Sequence, residues 1–209
     1  MNSEIEAKKG TTTVGLKCKD CVVLASESKA SMGNLVAHKE AKKIYKITDQ
    51  IALTIAGGVG DAQNLIRVLK AEVNLYEMSR QQPITVKGCK TLLSNIFQGS
   101  RYFPIMAMLI LGGFDNKGYH LYSLDPLGGG ETEKYTSTGS GSPVAYGVLE
   151  NRYKEGLEKN DGIKLAVSAV KAASERDVFS GGKRIQVAVI TEEGVNLLEK
   201  EEIEEITQE

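Results

Sequence analysis

The sequence predicts an α+β fold in which antiparallel sheets pack together and are covered by pairs of helices. Three observations carry this expectation. Strand-like and helix-like stretches come in blocks (strands, two helices, strands, two helices, strands) instead of strict β-α-β alternation. The strand-like stretches are short, rich in Val, Ile, Leu and Thr, and bounded by glycine-containing turns. The helix-like stretches repeat apolar residues at helical spacing. With 209 residues, 41% of them hydrophobic, the chain is long enough for one substantial core, and nothing demands two domains.

In chain order, Thr11–Leu16 and Cys21–Ser26 form an opening hairpin, followed by a mixed polar stretch up to Lys43. Lys43–Ile47 and Ile51–Ala56 read as strands. Gly57-Gly58-Val59-Gly60-Asp61 then ends a strand and opens a helix, with Asp61 available as its cap. Ala62, Leu65, Ile66, Leu69, Val73 and Tyr76 recur at helical spacing up to about Ser79. A second helix after Pro83 places Cys89, Leu92, Leu93, Ile96 and Phe97 on one face. Ile105–Leu111, Tyr119–Leu124 and Tyr135–Thr138 return to strand patterning, and two helices follow at about Pro143–Glu155 and Asp161–Glu175. Ile185–Ile190 and Val195–Leu198 close the sheet, and the acidic stretch Glu199–Glu209 reads as a solvated end.

Charge and composition exclude several classes. Basic and acidic residues balance at 26 against 27, so neither a nucleic-acid nor a membrane partner is expected. No run of 18 apolar residues exists, and the charged start Met1–Gly10 lacks the apolar centre of a signal peptide, so a cytosolic protein is expected. Three cysteines do not suggest a disulfide framework. Cys18-Lys19-Asp20-Cys21 spells a C-x-x-C, but it lies between two strand-like runs and not at a helix start, and no second Cys/His pair completes a zinc site. The two cysteines read as flanking a hairpin turn, and neither a metal nor a cofactor is expected. Gly139-Ser140-Gly141-Ser142 is followed by Pro143-Val144 where a phosphate loop needs Lys-Ser/Thr. Gly57 and Gly60 likewise lack dinucleotide-fingerprint spacing. Both glycine segments read as tight turns whose amides could point into a site.

Gly10-Thr11-Thr12-Thr13-Val14-Gly15 offers different chemistry. A threonine hydroxyl is a poor nucleophile unless a base takes its proton. Cleavage just before Thr11 would free an α-amino group with an unperturbed pKa of about 7.7–8, suited to that task. Glycine at position 10 leaves the scissile carbonyl least obstructed, and residues 1–10 would then be a propeptide. The plain alternative is that Thr11–Thr13 simply begin a strand.

The ordered set Gly10-Thr11-Thr12-Thr13-Val14-Gly15, Ala25-Ser26-Glu27, Lys42-Lys43-Ile44, Thr54–Ala62, Ser137–Pro143 and Arg176-Asp177-x-x-Ser180-Gly181-Gly182 resembles the proteasome β subunits, in particular the archaeal 20S type. The resemblance runs from Thr11 to about Leu198. It implies the N-terminal nucleophile hydrolase fold, a four-layer αββα sandwich formed by residues 11–209. It also implies a threonine endopeptidase acting on unfolded polypeptides inside a barrel of stacked seven-membered rings, with α subunits outside and an unfolding ATPase as regulator. The family's nucleophile falls on Thr11, its acidic partner on Glu27, its lysine on Lys43 and its backbone oxyanion donor on Gly57. The supporting residues fall on Ser140, Asp177 and Ser180. Glu27 departs from the aspartate many relatives carry, but it keeps the charge. The pocket for the residue before the scissile bond falls on Ala30, Ala41, Tyr45, Ile55, Val59 and Gln63, none of them charged, which implies chymotrypsin-like cleavage after large apolar residues.

These roles have a physical basis. Lys43 near the Thr11 hydroxyl supplies positive charge that eases its deprotonation. Glu27 keeps that lysine charged and oriented. An amide at Gly57 would stabilise a developing oxyanion, an effect of about 3–4 kcal/mol in other hydrolases. Other readings remain: Lys43 as a surface lysine, Ser180 as a structural cap, and the pocket residues as core filling. At the level of the whole chain the alternatives are a non-catalytic ring subunit, or the bacterial two-ring protease that also begins with Thr-Thr. Gly10, Thr11 and Lys43 occurring together speak against the first. The Gly-Ser-Gly-Ser-Pro turn and the Arg-Asp-x-x-Ser-Gly-Gly segment speak against the second.

Overall fold

The computed structural model describes residues 10–208; the expected propeptide residues 1–9 lie outside the described residues. Strands β1 (Thr13–Lys17), β2 (Val22–Glu27), β3 (Ala30–Met32), β4 (Leu35–His38), β5 (Ile44–Lys46) and β6 (Ile51–Gly57) come first. Helices α1 (Val59–Arg80) and α2 (Val86–Gly99) follow, then β7 (Ala107–Asp115), β8 (Gly118–Leu124), β9 (Gly130–Thr132) and β10 (Tyr135–Thr138). Helices α3 (Ser142–Arg152) and α4 (Lys159–Arg176), strands β11 (Ile185–Thr191) and β12 (Gly194–Leu197), and helix α5 (Lys200–Gln208) complete the chain.

Two five-stranded sheets result, ordered β10-β1-β2-β11-β12 and β5-β6-β7-β8-β9, with every neighbouring pair antiparallel. Central strands have no polar face, because both sides are covered. On β2, Val22 and Leu24 point to one core while Val23 and Ala25 point to another. On β7, Leu109 and Leu111 alternate in the same way with Ile110. This period-two alternation between two apolar environments explains why these strands read as continuous hydrophobic runs. Three cores separate four layers. One lies between α1, α2 and the β5–β9 sheet, one between the sheets, and one between the β10–β12 sheet and α3, α4 and α5. The fold is the αββα sandwich.

Several local readings need correction. The stretch after Glu27 is not irregular: β3 and β4 pair as a separate hairpin around Gly33, with Met32, Leu35 and Val36 exposed. Only Ala30 of its two strands is buried, so it carries no apolar periodicity. Asp61 does not cap α1. The helix begins at Val59 after Gly58, and Asp61 sits in its first turn, where a negative charge favours the helix dipole. The acidic end folds as α5 and docks Ile203 and Ile206 on the third core, so it is not wholly solvated. The short strand β9 had no counterpart in the reading of the sequence.

The cysteine reading holds. Cys18 and Cys21 flank the β1–β2 turn, both buried and free, and the Cys18 amide bonds the Cys21 carbonyl at 2.8 Å. The remote Cys89 thiol is pushed up to about 12 by burial, so it stays protonated.

Candidate active site

Strand ends from both sheets meet at one edge of the sandwich. In the first sheet, register pairs Thr13 at the start of β1 with Thr138 at the end of β10 and with Ser26 near the end of β2; Glu27 pairs with Ile185. In the second, Ile44 at the start of β5 pairs with Thr54 of β6, and Lys43 accepts a hydrogen bond at 3.0 Å from the Ile55 amide. Residues distant in sequence are thereby fixed by backbone ladders within a few ångströms of Thr11.

Thr11 is buried, and its hydroxyl lies between two partners. It donates to the Gly10 carbonyl oxygen at 2.6 Å and accepts from Lys43 Nζ at 2.9 Å. Lys43 Nζ also forms a close ion pair with Glu27 Oε1. Glu27 is enclosed by donors: the Thr12 amide at 3.2 Å on Oε1, and the Lys29 and Gly181 amides at 2.5 and 3.1 Å on Oε2. Burial pulls the Lys43 ammonium below the usual lysine value while the Glu27 carboxylate opposes that pull. Burial likewise lifts Glu27 above the usual carboxylate range against the influence of Lys43.

On the other side, the Thr11 amide donates to Ser140 Oγ at 3.3 Å. Asp177 Oδ2 accepts from both Ser140 and Ser180, at 2.5 and 2.6 Å. Ser180 Oγ lies 2.6 Å from Thr12 Oγ1. Because the single Ser180 proton is directed to Asp177, Thr12 is the donor in that pair. The bonds thus close a circuit from Thr11 through Ser140, Asp177, Ser180, Thr12, Glu27 and Lys43 back to Thr11.

Two glycines are required by close approach. Gly139 has φ +95°, and a Cβ there would stand 2.0 Å from the Thr11 carbonyl oxygen. A Cβ on Gly57 would stand 2.3 Å from the Met106 carbonyl oxygen.

A cavity of about 750 Å³ opens beside Thr11. Gly57, Lys43 and all six residues of the anticipated pocket line it, namely Ala30, Ala41, Tyr45, Ile55, Val59 and Gln63. Lys29, Lys39, Lys42 and Lys183 also border the cavity, which the reading of the sequence did not include. Thr12 and Gln186 were missed as well. Gln186 accepts from the Lys43 amide at 3.1 Å and donates to the Ala41 carbonyl at 2.7 Å, bracing the lysine and the cavity wall together. A polar residue in second place of an otherwise apolar strand was the available signal for Gln186. Among the described residues, no group of His, Cys, Asp and Glu side chains is arranged to hold a metal ion.

Residues 7–190 match the proteasome subunit family. Relatives named proteasome subunit beta extend over nearly the whole chain. The Methanocaldococcus fervens protein is 58% identical over 207 residues, covering 98% of this chain and 92% of its own length. The Methanocaldococcus jannaschii protein is 56% identical over 204 residues, covering 97% and 91%. The Methanococcus maripaludis protein is 53% identical over 207 residues, covering 97% and 94%. Fold, family match and these archaeal relatives agree: the chain belongs to the proteasome subunit family, among its β subunits.

Proposed function

We propose that this subunit is a threonine endopeptidase that matures by cutting its own Gly10–Thr11 bond and then hydrolyses unfolded polypeptides. The observation that carries the reading is the Thr11 hydroxyl, held between the Gly10 carbonyl oxygen and Lys43 Nζ. In maturation, Thr11 Oγ bonds to the Gly10 carbonyl carbon and the carbon–nitrogen bond breaks. The Thr11 nitrogen takes up the proton the hydroxyl loses, and water then hydrolyses the resulting ester. The products are a Gly10 carboxylate and a free Thr11 α-amino group.

In the mature enzyme that amino group is the base and Lys43, kept charged by Glu27, favours the alkoxide. The Gly57 amide faces the developing oxyanion. Ser140, Asp177 and Ser180 hold the freed amino group and the deacylating water. The apolar pocket favours Leu, Phe and Tyr before the scissile bond, a chymotrypsin-like preference, while the lysines stand at the cavity's border. The subunit works in seven-membered β rings flanked by α subunits, fed by an unfolding ATPase in the cytoplasm; among the described residues no helix is long and apolar enough to cross a membrane.

Intact mass of particles assembled with α subunits tests the reading. Loss of residues 1–10 from the parent chain and their full retention in Thr11→Ala are expected. Normal trimming of uniformly Thr11→Ala particles would overturn it.

A further inference from the structure

A preference for large apolar residues before the scissile bond sits awkwardly with glycine at the chain's own junction. The surroundings of Gly10 resolve this. A Cβ built on Gly10 would lie 1.5 Å from Cβ of Phe179, 2.6 Å from its Cγ and 2.7 Å from its Cα. One of these three atoms is backbone and another is the Cβ fixed to it, so no rotamer of Phe179 relieves the overlap.

The segment carrying Phe179 is also tied down. On one side Asp177 accepts from Ser140, and on the other Ser180 bonds Asp177 and Thr12. The Ser180 amide donates to the Asp177 carbonyl at 3.1 Å, and the Gly181 amide to Glu27 at 3.1 Å. Retreat of Phe179 would break contacts of the active-site circuit itself. Phe179 does not line the cavity that holds the six pocket residues. The side-chain direction of residue 10 therefore points at the Asp177–Gly181 segment, although Gly10 itself borders the cavity.

We propose that Phe179 is the positioning residue of self-cleavage. Its Cα and Cβ form a wall that admits only glycine before Thr11 and holds the Gly10 carbonyl against the Thr11 hydroxyl. The inference rests on the reading that Thr11 cuts the Gly10–Thr11 bond. It separates two selections within one site: the chain's own junction is read by Phe179, and substrates are read by the apolar pocket.

The test follows release of residues 1–10 over time by intact mass, with the full-length chain assembled with α subunits. The parent chain and Thr11→Ala report on the underlying reading; a parent chain that never releases residues 1–10 would refute that reading and the inference with it. Given a maturing parent, Gly10→Ala is expected to slow release at least about tenfold, the scale of a misplaced reacting group. Phe179→Ala keeps Cα and Cβ, so it should not rescue Gly10→Ala. Phe179→Gly removes the atoms at 1.5 and 2.6 Å and keeps only the Cα at 2.7 Å, so Gly10→Ala should slow release severalfold less in that background than in the parent, a coupling that only direct contact produces. Parent-like release by Gly10→Ala, or equal impairment in both backgrounds, would overturn the proposal. A second measurement does not depend on Phe179→Gly assembling. In the uncleavable Thr11→Ala background, adding Gly10→Ala should speed hydrogen exchange at the Ser180 and Gly181 amides. Unchanged exchange there would overturn the proposal.

Discussion

Thr12, not the neighbouring Thr11, is the threonine that touches Ser180: their hydroxyl oxygens lie 2.6 Å apart, and Thr12 is fully buried. One threonine hydroxyl meets the Gly10 carbonyl oxygen and Lys43 Nζ, while the next braces the residues that surround it. Thr12→Val keeps shape but removes the donor, leaving Ser180 with a buried acceptor unsatisfied at a cost of about 1–3 kcal/mol. We expect a lower unfolding temperature, and a kcat for peptide hydrolysis reduced about tenfold with KM little changed, as for a loosened transition-state contact. Parent-like kcat and unfolding temperature would show that the Thr12–Ser180 bond is dispensable.

Lys43→Ala, in a chain begun at Thr11 so that maturation is bypassed, is expected to lose peptidase activity at least about a thousandfold, as for other groups that act as a unit with a nucleophile. It also leaves Glu27 buried without its cation, destabilising the subunit by about 3–5 kcal/mol. Peptide turnover within tenfold of the parent, measured on intact particles, would make the lysine structural.

The buried pair sets an expected pH profile. In the proposed mechanism the active form carries a protonated Lys43, so activity is expected below the lysine pKa and is lost as pH rises through it. Burial places that pKa below the usual lysine value, so the alkaline limb falls earlier than an exposed lysine would give. The Glu27 carboxylate raises the pKa of Lys43, so Glu27→Gln lowers it further and moves the alkaline limb of kcat/KM toward acid. A limb that stays fixed or moves toward alkali would remove Lys43 from the titration.

Peptides differing only in the residue before the scissile bond should be cut fastest after Leu, Phe and Tyr. None of the six pocket residues is charged, so a charged side chain buried among them gives up its hydration at a cost of several kcal/mol, whereas an apolar one gains about 25 cal/mol per Å² buried. Faster turnover after Arg or Glu than after Leu or Tyr would refute the pocket assignment.

Much of the fold was legible because its strongest signals come from burial. β2, β6, β7 and β11 announce themselves as apolar runs, since each packs both faces against cores. The β3–β4 hairpin and α5 were not legible for the converse reason. The hairpin buries little, and α5 fully buries only Ile203. Within the candidate site, Thr11 stood out through Gly10, but no spacing rule joins Glu27 to Lys43 or Ser140 to Asp177. Those pairs meet through sheet register and a helix end, and the resemblance supplied what local pattern could not. Thr12 was hidden by its neighbours, being one of three consecutive threonines whose separate tasks depend only on the direction each side chain takes.

The β3–β4 hairpin has a consequence for how the cleft handles varied chains. Ala30, Ser31, Met32 and Gly33 on one arm, and Ala37 and His38 on the other, form one side of the cavity, yet the hairpin joins neither five-stranded sheet. A lone two-stranded ribbon has little stability of its own, whereas Thr11 is anchored at the edge of a sheet buried on both faces. The cleft therefore has one stiff jaw and one compliant jaw. Adjustment of the hairpin side to a bound chain can therefore leave the alignment of the atoms around Thr11 unchanged.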